Sequence, residues 1–271
     1  MRLGLCAKAD EPHRVKIARY AFDYLKGRAD VVVQQDLAKH FEGEAPAAPI
    51  EKMDVDALVT VGGDGTILHA MQRNAAPVFG INVGEIGFLT EAEPIELPDA
   101  LDRLLSEEYF VESRLKLETR IGGEVLPHAV NEAVVKTSRP SKMLAFSLSV
   151  GDLEIQRVRA DGLIVATPTG STSYAMSAGG PIMDPRVEAL VVVPIAAFSL
   201  SSRPLVFRTS AHLEVQLMDP SKEAVLVIDG QYERPIRPDD RLVFTAAAER
   251  ARFIRFRPGF YDRLQERLGP G

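Results

Sequence analysis

The sequence predicts an α/β first portion built on a parallel sheet, followed by a strand-rich second portion of packed antiparallel sheets. Three observations carry this prediction. Apolar runs of strand length alternate with helical periodicity over residues 1–97. A glycine turn, Gly62-Gly63-Asp64-Gly65-Thr66, joins a strand to a helix. From Val111 onward short β-branched runs separated by turns replace the helical spacing.

The elements follow in order. Met1–Ala7 is short and apolar, Glu11–Lys26 places Val15, Ala18, Phe22 and Leu25 on one helical face, and Val31–Val33 is β-branched, which makes a βαβ unit. Asp56–Val61 is the next strand and runs into the glycine turn, a helix over Thr66–Asn74 and a strand over Val78–Val83. In such a sheet ligands sit beyond the carboxyl ends of the strands, and Gly62 lies at one of them. Glu42–Pro49, rich in Ala, Pro and Glu, reads as a mobile surface loop. Ile95–Tyr109 sets Leu101, Leu104 and Leu105 on one side of a helix. Strands are then expected at Val125–Val135, Leu144–Val150, Leu163–Ala166, Ala189–Ile195, Leu213–Leu217, Ala224–Ile228 and Arg241–Thr245. The expected domains are 1–97 and 98–250, with a tail over 251–271 that packs back on the first domain and carries a helical turn or two at Tyr261–Leu268.

Composition narrows the function. Of 271 residues 46% are apolar, and 38 acidic against 32 basic side chains give a net charge of −6. No basic footprint for nucleic acid or acidic lipid is present, so an anionic ligand must be held by backbone amides and a few placed side chains. The longest nearly apolar run, Ala189–Phe198, is about half of the roughly 20 residues a membrane span needs. The opening residues lack the apolar core of a signal peptide, and a cytoplasmic protein is expected. Cys6 stands alone, which excludes a disulfide framework and a thiolate zinc cluster and suits a buried strand position. The five histidines are isolated, so no zinc site built by the protein is expected, and His69 reads as an ordinary helix residue.

Four segments are candidates for chemistry. In Gly62–Thr66, glycines let a ligand approach the backbone, and the amides of the following helix start can receive phosphate oxygens. Asp64 is the odd element there, because a carboxylate repels phosphates unless a cation intervenes or a proton must be removed. The turn is not a Walker A loop, since no Lys follows the glycines. In the run from Asp161 to Pro181, strand Leu163–Ala166 leads into Thr167-Pro168-Thr169-Gly170, dense in hydroxyls and amides, and a helix start at Ser171–Ser177 offers Ser173, Tyr174 and Ser177 to a base or its polar edge. Asn131-Glu132 interrupts the apolar run Val130–Val135, where adjacent polar residues are costly unless partnered. Asp229-Gly230-Gln231 ends the strand Ala224–Ile228, where a plain β-turn would use the same letters.

Gly-Gly-Asp-Gly-Thr is shared by a kinase superfamily that includes NAD kinases, diacylglycerol and sphingosine kinases and 6-phosphofructokinases. The segment Asp161–Pro181 resembles the NAD kinase signature nearly residue for residue, and Asn131-Glu132 and Asp229-Gly230-Gln231 are similar to that family's shorter motifs in the same order. The resemblance runs from Val59 to Gln231. It implies a Rossmann-like α/β domain with a β-rich C-terminal domain, of the NAD kinase/diacylglycerol kinase type. It implies phosphorylation of the 2′-hydroxyl of the adenosine ribose of NAD, with ATP or polyphosphate as donor, to form NADP.

By the same resemblance Asp64 is the general base or a base-orienting carboxylate, and Asp229 is a second candidate for handling the hydroxyl proton. Gly62, Gly63, Gly65 and Thr66 surround the donor phosphates, whose charge a divalent cation, Mg²⁺ carried with ATP, neutralises. NAD contacts fall on Asp64, Gly65, Asn131, Glu132, Lys142, Arg159, Asp161, Thr169, Thr172, Ser173, Tyr174, Ser177, Ala196, Asp229 and Gln231. A homodimer or homotetramer is implied, with nucleotides as the ligands and neither nucleic acid nor membrane as partner. The chain departs from the family at Ile195–Ser201, where Phe198 replaces a common His and removes that contact. A lipid or sugar kinase, and a dinucleotide sensor without turnover, are the alternatives.

Overall fold

Leu58–Val61 and Phe79–Ile81 are buried at every residue, as strands covered on both faces must be. In the computed structural model, which describes residues 1–84, 87–139, 142–219 and 221–269, these runs form the centre of the first of two units, Met1–Ser113 with Ala251–Gly271. Its elements are β1 (Arg2–Ala7), α1 (Pro12–Leu25), β2 (Asp30–Gln34), β3 (Ala47–Ala48), β4 (Ala57–Gly62), α2 (Asp64–Met71), β5 (Val78–Asn82) and α3 (Leu97–Leu105), joined by the far end of β17 (Arg241–Arg255) and by α5 (Phe260–Leu268). The strands run parallel in the order β17-β5-β4-β1-β2-β3, with Gly62 opposite Asn82 at the carboxyl ends of β4 and β5.

Three details differ from the sequence reading. Helix α2 begins at Asp64, two residues before Thr66, because an acidic residue is favoured in the first turn of a helix. The stretch read as a loop at 42–49 contributes β3 to the sheet edge, and Glu44 is tied down by Arg19 at 2.6 Å and Lys26 at 2.7 Å. The division falls at 113/114 instead of 97, because α3 buries Leu97, Ala100, Leu101 and Leu104 in the core of this unit. Cys6 is buried in β1, and burial pushes its thiol up to about 12.

The second unit, Arg114–Arg250, holds two antiparallel sheets face to face. One has the order β13 (Leu205–Arg208), β12 (Ala189–Ile195), β11 (Gly162–Ala166), β8 (Glu132–Thr137), β15 (Ala224–Ile228) and β16 (Tyr232–Ile236). The other runs β10 (Leu153–Ala160), β9 (Leu144–Val150), β14 (Leu213–Leu217) and the first half of β17, with the hairpin of β6 (Phe110–Ile121) and β7 (Glu124–Val125) beside it. Alternate residues of β8, β11 and β12 serve two cores. Val135, Leu163, Val165, Leu190 and Val192 pack against Phe146, Leu148 and Phe244 of the facing sheet, while Val134, Ile164, Val191 and Val193 pack on the other face against Ala175 and Met183. This double coverage explains why β11 and β12 are apolar throughout, as β8 is over Ala133–Val135, and it lays the segment 167–183 on the outer face of the sheet.

The single strand expected at Val125–Val135 is broken. Leu126 and Ala129 bond back to Thr119 and Leu117, and the chain enters the other sheet only at Glu132, so residues 126–131 are the crossing between sheets. The helix start expected at Ser171–Ser177 is a 3₁₀ turn over Gly170–Thr172 followed by one α-turn, α4 (Tyr174–Ser177). No helix is long and apolar enough to cross a membrane among the described residues.

Candidate active site

In the first unit β4 delivers the glycine turn to the carboxyl edge of the sheet, where α2 starts with Gly63 as its cap. A side chain at Gly63 or Gly65 would meet nothing within 4 Å, so these glycines answer to no packing demand of the chain itself and leave the helix-start amides open to a ligand. Thr66 is buried, its hydroxyl accepting from Arg14 at 3.3 Å. The Asp64 carboxylate accepts from two successive backbone N–H groups, Phe88 at 2.9 Å and Leu89 at 3.0 Å, and sits so close to Gly87 that a Cβ there would collide with it. Asn82, at the end of β5, is a residue the sequence reading passed over. Its Oδ1 is buried without a hydrogen-bond partner among the described residues, the same polar break at the end of an apolar strand that drew notice at Asn131.

In the second unit the Asp229 carboxylate caps the start of β8. It accepts from the backbone N–H groups of Val130 at 2.7 Å, Asn131 at 2.8 Å and Glu132 at 3.0 Å, and Asp229 itself takes a left-handed conformation at φ 48°. The turn at 167–170 packs against the same backbone. Thr167 donates its hydroxyl to the Val130 carbonyl at 2.6 Å, and Gly170 lies against the Asn131 carbonyl with no space for a Cβ. Glu132 receives a hydrogen bond from the Ser173 hydroxyl at 3.1 Å.

What remains unmet is the informative part. Asn131 Oδ1, Glu132 Oε2 and Thr169 Oγ1 are buried with no hydrogen-bond partner among the described residues. Buried polar atoms are nearly always partnered, so three orphans on adjoining segments mark a place where a polar ligand completes the bonding. Tyr174, 41% exposed, follows directly on Ser173.

The other predicted positions divide. The Thr172 hydroxyl is spent on the Thr169 carbonyl at 3.2 Å, which makes it a brace of its own turn. The backbone of Asp161 is held between Ile195 and Thr137, each at 2.9 Å. Ala196 takes φ 48°, the strained conformation of a chain turning sharply after β12. Arg159, exposed on β10, stacks its guanidinium on Phe198 at 4.9 Å, so the residue that replaces the expected His now steers a cation. Lys142, Ser177 and Gln231 are exposed. Asp229 turns both carboxylate oxygens to backbone amides, as Asp64 does to those of Phe88 and Leu89.

Burial pushes the Glu132 carboxyl up to about 8, with the charge of Asp229 adding to the rise and the Ser173 bond opposing it. The folded state therefore holds a proton that the unfolded chain, with its ordinary value of 4.5, has released. This stability is fully present below pH 4.5 and is lost as pH rises through about 8. Glu132→Gln is expected to flatten the fall in Tm over that interval, and unchanged pH curves for variant and wild type would contradict it.

Comparison with known proteins identifies the family. Residues 3–109 match the ATP-NAD kinase N-terminal domain and residues 130–256 the ATP-NAD kinase C-terminal domain. An NAD kinase of Methanothermobacter thermautotrophicus is 43% identical over 280 residues, spanning 100% of this chain and 97% of that one. The crystal structure of an NAD kinase from Archaeoglobus fulgidus in complex with ATP aligns with a TM-score of 0.81 at 29% identity, covering 100% of both chains. Yeast NADH kinase complexed with NADH shares the fold, with a TM-score of 0.91 at 23% identity over 99% of this chain and 87% of that one. Two successive domain matches and a relative aligned end to end at this identity carry one conclusion: this chain belongs to the NAD kinase family.

Proposed function

We propose that the protein transfers the γ-phosphoryl group of ATP to the 2′-hydroxyl of the adenosine ribose of NAD, forming NADP and ADP. The observation that carries the reading is the trio of orphaned polar atoms on Asn131, Glu132 and Thr169, set beside Tyr174 and anchored by the Asp229 amide cap. Base edges and ribose hydroxyls supply the donors and acceptors such atoms lack. The Tyr174 ring offers a face for the adenine, and Arg159 on its Phe198 support is a cation for the dinucleotide or its new phosphate.

The acceptor hydroxyl is a weak nucleophile facing a donor of high negative charge. Catalysis then consists of alignment, removal of the proton and neutralisation of charge. Asp64 takes the proton as the 2′-oxygen bonds to the γ-phosphorus and the bond from that phosphorus to the β–γ bridging oxygen breaks. The amides of Gly63, Asp64 and Gly65 hold the donor oxygens; that of Thr66, expected from the sequence to join them, is spent on the Gly63 carbonyl at 2.9 Å. Among the described residues no three His, Cys, Asp or Glu gather into a group that could hold a metal ion. A divalent cation such as Mg²⁺, carried with ATP, would neutralise the charge of the donor phosphates.

Chelation with EDTA is expected to abolish NADP formation while leaving Tm unchanged, since the fold does not depend on the ion; a matching loss of Tm would argue for a resident metal. A coupled assay for NADP with ATP or polyphosphate, each with and without Mg²⁺, tests the activity itself. Tight NADP binding without turnover at high enzyme concentration would favour a sensor, and phosphorylation of diacylglycerol or fructose 6-phosphate in preference to NAD would favour the rival kinases. The reading also takes the enzyme to be a cytoplasmic homodimer or homotetramer, which sedimentation and fractionation test.

A further inference from the structure

The Asp64 carboxylate is gripped by N–H groups from Phe88 and Leu89, and the carbonyls of the same short segment are gripped in turn. Arg263 donates to the Phe88 carbonyl at 3.3 Å, while one nitrogen of Arg255 donates to the carbonyls of Leu89 and Thr90, both at 3.0 Å. Glu91 holds the two arginines together, accepting from Arg255 and Arg263 at 3.0 Å each and from the Phe256 backbone at 2.8 Å. The side chains of Arg255 and Glu91 are only 2% and 3% exposed and that of Arg263 17%. Burying so many charges is costly unless each is paired, and an apolar plug would fill the space at less expense to stability. Its retention here calls for a use beyond packing.

The use follows from peptide geometry. The carbonyl of Phe88 and the N–H of Leu89 belong to one planar unit and point in opposite directions. Arg263 on the oxygen and Asp64 on the hydrogen therefore grip two ends of a single rigid plate. A charged donor on the carbonyl also polarises the plate, which strengthens the N–H as a donor to the carboxylate. The Phe88 ring is buried against Phe260 at 6.3 Å between ring centres, with the Arg267 guanidinium 5.0 Å from it, so α5 holds the plate from above.

We propose that Arg263, backed by Glu91 and Arg255, is a positioning residue for phosphoryl transfer, fixing the direction and donor strength of the Leu89 peptide that aims Asp64. The inference rests on the reading of Asp64 as the group that takes the hydroxyl proton. Misplacement of a catalytic group by a fraction of an ångström is enough to slow the chemistry without weakening substrate binding.

The test is a double-mutant cycle on the full-length enzyme. Arg263→Gln is expected to lower kcat about tenfold, with KM for NAD and for ATP within about twofold of wild type. Arg263→Lys, which keeps the charge and one bond, should recover all but about threefold. In the Asp64→Asn background both substitutions should have no further effect on kcat, and amide hydrogen exchange at Leu89 should quicken in Arg263→Gln alone. Wild-type kcat in Arg263→Gln, or equal fractional losses in both backgrounds, would overturn the proposal. If Arg263→Gln fails to fold, the Lys variant carries the same cycle. A near-normal kcat in Asp64→Asn by itself would instead remove the reading on which the proposal rests.

Discussion

Asp64→Asn is expected to lower kcat for NADP formation by about 10²-fold or more, the usual contribution of a proton-transferring group, while NAD and ATP continue to bind. The substitution preserves size and leaves one oxygen to accept from Phe88 or Leu89, while its NH₂ faces the other N–H, so Tm is measured beside kcat to separate lost stability from lost chemistry. What it removes is the negative charge and the basic lone pair. Steady-state assays paired with calorimetry of NAD binding separate the two effects. Should kcat stay near that of wild type with NAD bound, the carboxylate is only a clamp for the 88–89 segment and the proton leaves by another route.

Asp229→Asn is expected to fail differently, in stability first. Its carboxylate accepts from three buried backbone N–H groups, and an amide side chain turns its own NH₂ toward at least one of them. Hydrogen bonds to a charged acceptor contribute about 1.5–3 kcal/mol each, so a net loss of about 3 kcal/mol is reasonable. That is a fall of roughly 6–12 °C in Tm for a protein of this size. Asn tolerates the left-handed backbone at φ 48° as Asp does, so strain does not confuse the comparison. KM for NAD should rise with it, because Asn131 and Glu132 lose their backbone anchor. A stable variant with a collapsed kcat would return Asp229 to proton transfer.

How much of this was legible in the sequence depends on the range of the interaction. Ala189–Ile195 and Ala224–Ile228 were legible because apolar residues fill them and burial covers nearly their whole length, and Leu213–Leu217 because buried Leu213, Val215 and Leu217 alternate with partly exposed Glu214 and Gln216. Strand β10 went unseen: only Val158 and Ala160 of its eight residues are buried, and an exposed strand carries no hydrophobic signature. The same holds for β16 at one edge of the other sheet, while β13 at the opposite edge is mostly apolar but only four residues long. The AAAERAR stretch of β17 has neither branched residues nor alternation, so the strand was read as ending at Thr245. At the site, Asn131-Glu132 was visible as a polar break in an apolar run, and the glycine turn as a strand-to-helix joint. The Arg263 support was not, since it connects residues 175 positions apart through a backbone carbonyl that any residue would supply.

The first unit is discontinuous, and this orders events in time. Residues 251–269, with Arg255 and Arg263, are synthesised only after the whole of Arg114–Arg250, whereas Asp64 and its 88–89 peptide are made early. A nascent chain thus carries the glycine turn long before it carries the groups that set the direction of Asp64. Closing so long a stretch makes completion of the first unit a late, non-local step of folding, which waits for residues 251–269.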